Sequence, residues 1–292
     1  MNGKKTVMIT IKKHDIIFFL MIAIGLLLWI NMAIYMLHEI WGYSIQWGIL
    51  EYCLSALGES TMIHQFILIG LNIVIIYSLL TFFYILFKQV NLKKQWNKEV
   101  RFKSDILLTE AINRTFQQFN GKIIVIKDHS LFALTYGFVR PRIVISTKML
   151  ACFDQEEITA VLLHEYAHLK KFDPLRSLII NIIKDSLPFV PIFKKMHYFI
   201  HVWMEIDADQ YAMMHMGSPY ALGSVLYKCA SSNHQRLPIG VGFADDPINY
   251  RIQKLIEPSS HIKIPMMDIP PMVISFSVFI TFAVIMLFNG CT

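Results

Sequence analysis

Long uncharged runs separate segments of mixed character along this chain. Ile16 to Leu37 and Phe66 to Phe87 contain no charged side chain, and each run is long enough to cross a hydrocarbon core as a helix. Met272 to Phe288, behind Pro270 and Pro271, is a third uncharged run near the lower length limit for a span. The first run is too long for a signal-peptide core, and no small-residue cleavage site follows it, so it is expected to remain as an anchor.

Between the second and third runs the pattern changes to that of a compact domain. Ile106, Leu107, Ala111, Ile112, Phe116 and Phe119 recur at helical spacing over Asp105 to Phe119, and Asn120-Gly121 punctuates the segment. Lys122 to Ile126, Leu131 to Thr135 and Arg142 to Ser146 predict three short strands and a small sheet. Asp154 is placed to cap a helix running to about Lys171, with Glu156 and Glu157 at its positive end and Lys170 and Lys171 at its negative end. Asp173-Pro174 breaks it, and a helical stretch from Leu175 to about Met216 follows, interrupted at Pro188 and Pro191. The stretch is expected to be a bent, partly membrane-inserted hairpin. The expected class is a mainly helical α+β membrane protein carrying a small β-sheet.

Composition agrees with a membrane location: 55% of residues are hydrophobic and only 16% charged. The charges give an orientation. Lys4, Lys5, Lys12 and Lys13 precede the first span, and Lys88, Lys93, Lys94, Lys98, Arg101 and Lys103 follow the second, while the loop between has no Lys or Arg. The predicted order is therefore a cytoplasmic N-terminus (1–15), a span (16–37), an extracytoplasmic loop (38–65), a span (66–87), a cytoplasmic domain (88–268), a span (272–288) and a short outer tail (289–292). The net charge of +6 reflects this topology rather than nucleic-acid binding, since no recognition module accompanies it. Cys53, Cys152, Cys229 and Cys291 form no CxxC pair and no expected disulfide framework.

Candidate chemistry centres on His164-Glu165-Tyr166-Ala167-His168. On a helix, histidines four apart lie on one face and can reach one metal ion. Zinc hydrolysis also needs a carboxylate to take a proton from water and deliver it to the leaving amine, and Glu165 suits that role. The H-E-x-x-H pattern arises by accident in roughly one chain in a hundred of this size, so a third ligand is needed. Glu205 and Asp209 stand one turn apart downstream; Glu205 is the expected third ligand, and Asp209 the acceptor for the free ring nitrogen of a zinc-bound histidine. His197 and His201 have the same spacing and offer a rival pair, although no glutamate follows either. His14, His38 and His64 flank spans and receive no catalytic role.

Leu131 to Val139 is the candidate edge strand that would pair with an extended peptide, giving Ala133, Leu134, Thr135, Tyr136 and Gly137 as substrate-binding residues; ordinary sheet core is the competing reading. Gly137 also suits a positive φ. Tyr211, His215 and Arg176 are candidate oxyanion stabilisers, among which the sequence does not choose.

In order and spacing, LFALTYGFVRPRIVIS, EEITAVLLHEYAHLKKFDPL and EIDADQYA together resemble the integral-membrane peptidases of the BlaR/MecR antirepressor group. The resemblance covers roughly residues 66–290. It implies a cytoplasmic gluzincin-type zinc peptidase domain between transmembrane helices, zinc held by His164, His168 and Glu205, Glu165 as base, and Asp173 as a structural acid. Full receptors of that group carry an extracellular penicillin-binding sensor after the last span, where only Asn289 to Thr292 stand here, so direct β-lactam sensing is not expected. The EIDAD segment lacks the cysteine common in the group and also resembles the HtpX and CaaX prenyl protease group. Expected partners are a protein substrate such as a transcriptional repressor, membrane lipid and a second copy of the chain, without direct nucleic acid. A metal-stabilised, non-catalytic membrane receptor is the alternative of another class.

Overall fold

The computed structural model describes residues 12–41, 62–231, 241–242, 248–257, 259–260, 262, 264 and 269–287. Most of the expected outer loop, both chain ends, Cys53 and Cys291 lie outside the described residues. Helices are α1 (Lys13–Trp41), α2 (Met62–Lys103), α3 (Ile106–Thr115), α4 (Thr147–Cys152), α5 (Gln155–Lys171), α6 (Asp173–Ser186), α7 (Ile192–Met216), α8 (Tyr220–Ser231), α9 (Ile248–Ile256) and α10 (Ile269–Leu287). Strands are β1 (Ile123–Ile126), β2 (Ala133–Tyr136), β3 (Arg142–Ser146) and β4 (Val241–Gly242). The second apolar run does not end its helix, because α2 continues through the basic segment to Lys103.

The chain divides into two units, one of residues 1–80, 183–200 and 265–292, the other of 81–182 and 201–264. In the first unit, α1 turns Phe19, Leu27 and Ile30 outward, each more than half exposed. Water penalises such a surface, whereas lipid does not. Among the described residues, two helices, over Lys13–Ala33 and Asn72–Lys103, are long and apolar enough to cross a membrane. The end of α6 packs against α1 at Gly25, where a Cβ would come within 3.1 Å of Ile183. The free first N–H of α7, from Ile192, donates to Ser275 Oγ of α10 at 3.0 Å.

The second unit is built on a mixed sheet of order β1-β3-β2-β4, with β1 parallel to β3 and the other pairs antiparallel. Both faces are covered. Ile123, Val125, Ala133, Ile143 and Ile145 join the core that includes α5, while Ile126, Leu134 and Val144 pack with Trp96 of α2. This double burial explains why the strands read as continuous apolar runs rather than alternating ones. One expectation is corrected: β2 is not an edge strand, because Leu134 and Thr135 pair with Gly242 and Val241 of the short β4. The turn after β2 needs Gly137, whose φ is 105° and whose missing Cβ would stand 3.0 Å from the Arg140 carbonyl oxygen.

Helix α5 is buried on most of its circumference and begins with a capping box, in which Asp154 accepts from the Glu157 N–H at 2.8 Å and Glu157 accepts from the Asp154 N–H at 3.0 Å. Phe172 in the left-handed region ends it. Burial opposes ionisation of Glu157, but hydrogen bonds from Lys228, at 2.5 Å, and Ser224, at 2.6 Å, outweigh it and hold the carboxyl below its ordinary value of 4.5. A lowered folded-state value contributes stability above the unfolded value and loses it as pH falls through the folded one. Glu157→Gln is thus expected to melt below wild type at neutral pH, with the gap closing as pH falls below 4.5. A gap independent of pH in paired thermal melts would remove the charge from the explanation.

Candidate metal centre

The C-terminal half of α5 presents His164, Glu165 and His168, all fully buried, and α7 brings Glu205 beside them. The two Nε2 atoms are 3.1 Å apart; Glu205 Oε1 lies 3.3 Å from His168 Nε2 and Glu205 Oε2 lies 3.5 Å from His164 Nε2. Nitrogen and oxygen ligands about 2.0–2.1 Å from a tetrahedral ion lie about 3.3 Å from one another, and the two Nε2 atoms, each with a different Glu205 oxygen near it, are spaced close to that value. Among the described residues, these three form the cluster whose ligand atoms converge as a metal site requires.

The surroundings fix which nitrogen faces the centre. His164 Nδ1 is 2.8 Å from Asp209 Oδ1, and His168 Nδ1 is 2.8 Å from Asp173 Oδ2. Each carboxylate holds a proton on Nδ1, so each Nε2 presents a lone pair. Two Nε2 atoms at 3.1 Å, with a carboxylate beside both, are reconciled by a cation among them, whether a proton or a metal ion. Charge balance agrees. When ionised, Glu165, Glu205, Asp209 and Asp173 exceed the guanidinium groups of Arg251 and Arg176 by two negative charges, the charge of one divalent cation.

Glu165 differs from Glu205 in its contacts. Thr135 Oγ1 is 2.7 Å from the Glu165 carbonyl oxygen and 2.9 Å from Oε2, so β2 steadies the base, while the buried Oε1 has no hydrogen-bond partner among the described residues. Such an atom is costly unless water or a ligand meets it. Burial pushes the Glu165 carboxyl up, against the pull of His168 and His164. For Glu205, burial acts in the same sense but His168 and Arg251 prevail and hold it well below the usual carboxylate range.

Arg251, on α9, was not singled out by the sequence. It is 1% exposed and grips Asp209 through Nε and Nη2, both at 2.7 Å, while Nη1 lies 3.1 Å from Glu205 Oε2. A lone arginine in the stretch Asn249-Tyr250-Arg251-Ile252 carries no local signal, because its partners lie far back on α7.

The model of the family described as BlaR1 peptidase M56 matches residues 56–252, which span this whole centre. The chain belongs to that family. It is a membrane-associated metallopeptidase, and His164, His168 and Glu205 are the residues of this M56 peptidase that can hold its metal. No curated protein matches the chain.

Other expected site residues of the M56 peptidase fall elsewhere. Ala133 and Thr135 face α5, but Leu134 packs with Trp96, and the Tyr136 hydroxyl donates toward Lys93 O, at 3.1 Å, and Asn97 Oδ1, at 2.8 Å, on the opposite face. Tyr211 and His215 stack on each other with ring centres 4.1 Å apart, and Arg176 pairs with Asp173 at 3.4 Å. Ser177 Oγ lies 3.4 Å from His201 Nε2, a polar contact and not a ligand set.

Proposed function

We propose that this chain is a multi-pass membrane zinc endopeptidase of gluzincin type, whose catalytic domain faces the cytoplasm and cleaves a cytoplasmic or membrane-associated regulatory protein, such as a transcriptional repressor. The observation that carries the reading is the convergence of Glu205 and the Nε2 atoms of two histidines, whose Nδ1 atoms meet carboxylates, beside a buried glutamate with one oxygen unpartnered among the described residues. The excess of basic residues at 88–103 over the loop at 38–65, which has no Lys or Arg, favours the cytoplasmic side.

His164, His168 and Glu205 would hold a zinc ion, which would supply Lewis acidity toward water and the scissile carbonyl. Glu165 takes the water proton and gives it to the departing amine. Thr135 aims that carboxylate, while Asp209 and Asp173 keep both imidazoles in the ligating tautomer. Arg251 holds Asp209 and Glu205 ionised and in register. The residues of the centre are buried, which strengthens the electrostatic interactions among them.

One observation favours the chain itself as a substrate. Val241 and Gly242 lie antiparallel along β2, the strand whose Thr135 meets Glu165, in the position where an extended peptide would pair. The experiment is a comparison of protein N-termini in cells expressing wild type and Glu165→Gln. New termini in a regulator, or near residue 242 of the chain, are expected with wild type alone. Identical profiles would refute proteolysis. A processing or quality-control peptidase similar to the HtpX and CaaX prenyl protease group would instead release termini in many membrane proteins.

A further inference from the structure

On the sheet face turned away from the metal centre, the second unit has a cavity of about 680 Å³ between the C-terminal part of α2, the start of α3 and the turn after β2. Four cations line it: Lys93, Arg101, Arg140 and Arg142. Among the described residues none of the four makes an ion pair, and Glu110, the carboxylate at the rim, is engaged by Arg114 at 3.3 Å. Four uncompensated cations around one concavity form an anion site.

The position of the cavity along α2 selects the anion. Phe83 and Phe87 are 63% and 67% exposed, and Lys88 lies over the Tyr84 ring at 5.9 Å, an aromatic and basic pairing suited to a membrane interface. Lys93 is five residues further on, about 8 Å along a helix axis, and the headgroup layer on each side of a bilayer is roughly 5–8 Å thick. The turn after β2 adds an apolar tip, since Gly137 folds it back so that Val139 is 77% exposed next to Arg140. An apolar tip flanked by arginines matches the boundary between headgroup and acyl chain.

We propose that this cavity binds the phosphate of an anionic phospholipid headgroup. The proposal rests on the reading that α2 crosses a bilayer. A phospholipid fits better than an acidic peptide because Lys93 and Arg101 of the cavity follow the exposed apolar residues Phe83 and Phe87 on the same helix. The site also communicates with the centre. Tyr136 ties β2 to α2 at the cavity floor, and its neighbour Thr135 carries the hydrogen bond to Glu165. Headgroup binding thus braces the strand that aims the base.

The test uses the full chain in nanodiscs of phosphatidylcholine with and without phosphatidylglycerol, with lipid retained after gentle detergent exchange measured by native mass spectrometry. Wild type is expected to retain phosphatidylglycerol selectively. Arg101→Gln, Arg140→Gln and Arg142→Gln should each lower that retention about fivefold, while Lys148→Gln, at an exposed lysine outside the cavity, should not. Equal retention by the triple variant, with an unchanged melting temperature, overturns the site. Retention of inorganic phosphate in preference to phosphatidylglycerol at equal concentration would assign the cavity to a free anion, and preferential retention of an acidic peptide would assign it to protein; either overturns the lipid reading. Release of the chain from membranes by alkaline carbonate would defeat the membrane reading itself, whereas stable integration without phosphatidylglycerol selectivity defeats the headgroup site alone.

Discussion

Glu165→Gln is expected to keep the full metal content of the protein while lowering peptide hydrolysis by about 10²- to 10⁴-fold, the range for losing a positioned general base. The substitution preserves shape and leaves the atoms that converge on the metal unchanged, since those come from His164, His168 and Glu205. What is lost is an oxygen able to accept and release a proton, beside an atom that makes no other hydrogen bond among the described residues. Burial pushes the Glu165 carboxyl up, toward the working range of a base near neutral pH. The check is metal analysis alongside turnover of a peptide library by purified wild type and variant. Unchanged turnover at full metal occupancy would eliminate Glu165 as the base, and loss of metal together with activity would make it a structural member of the site. Thr135→Val should cost much less, because it removes the aim of the carboxylate and not its chemistry.

The centre was legible in the sequence to the extent that helical spacing encodes geometry. The four-residue steps His164 to His168 and Glu205 to Asp209 each fix a shared helix face, and the structure brings both faces together with separations suited to one ion. The cap at Asp154 and the interruption at Pro188 to Pro191 were equally readable, and the break expected at Asp173-Pro174 falls one residue earlier, at Phe172, since each rests on local backbone chemistry. Contacts between distant segments were not. Nothing near Arg251 announces that its partners lie on α7, and nothing in Val241-Gly242 announces a strand beside β2. Leu131 to Val139 suggested an open edge because the sequence of a strand does not reveal how many neighbours it has. The same limit applies to Tyr136. Alternation places it opposite Thr135, but only the folded sheet reveals that the opposite face looks onto α2.

Arg251→Met tests whether that unannounced residue holds the centre together. The guanidinium is 1% exposed and makes its closest contacts to two carboxylates that are themselves 2% exposed. Taking away one partner of a buried ion pair leaves uncompensated charge in a low-dielectric setting and typically costs about 3–5 kcal/mol. In a protein of this size such a loss lowers the melting temperature by at least about 6 °C. Metal-free protein should suffer most, since a bound cation would neutralise part of the charge that Arg251 leaves behind. The wild-type advantage in melting temperature is therefore expected to shrink when zinc is added. Adding Asp209→Asn to Arg251→Met removes one stranded charge and should restore part of the lost stability, although His164 then loses the carboxylate that fixes its tautomer. Wild-type melting by Arg251→Met with and without metal would show that Asp209 and Glu205 are neutralised in another way, and would remove Arg251 from the account of how Glu205 is kept charged.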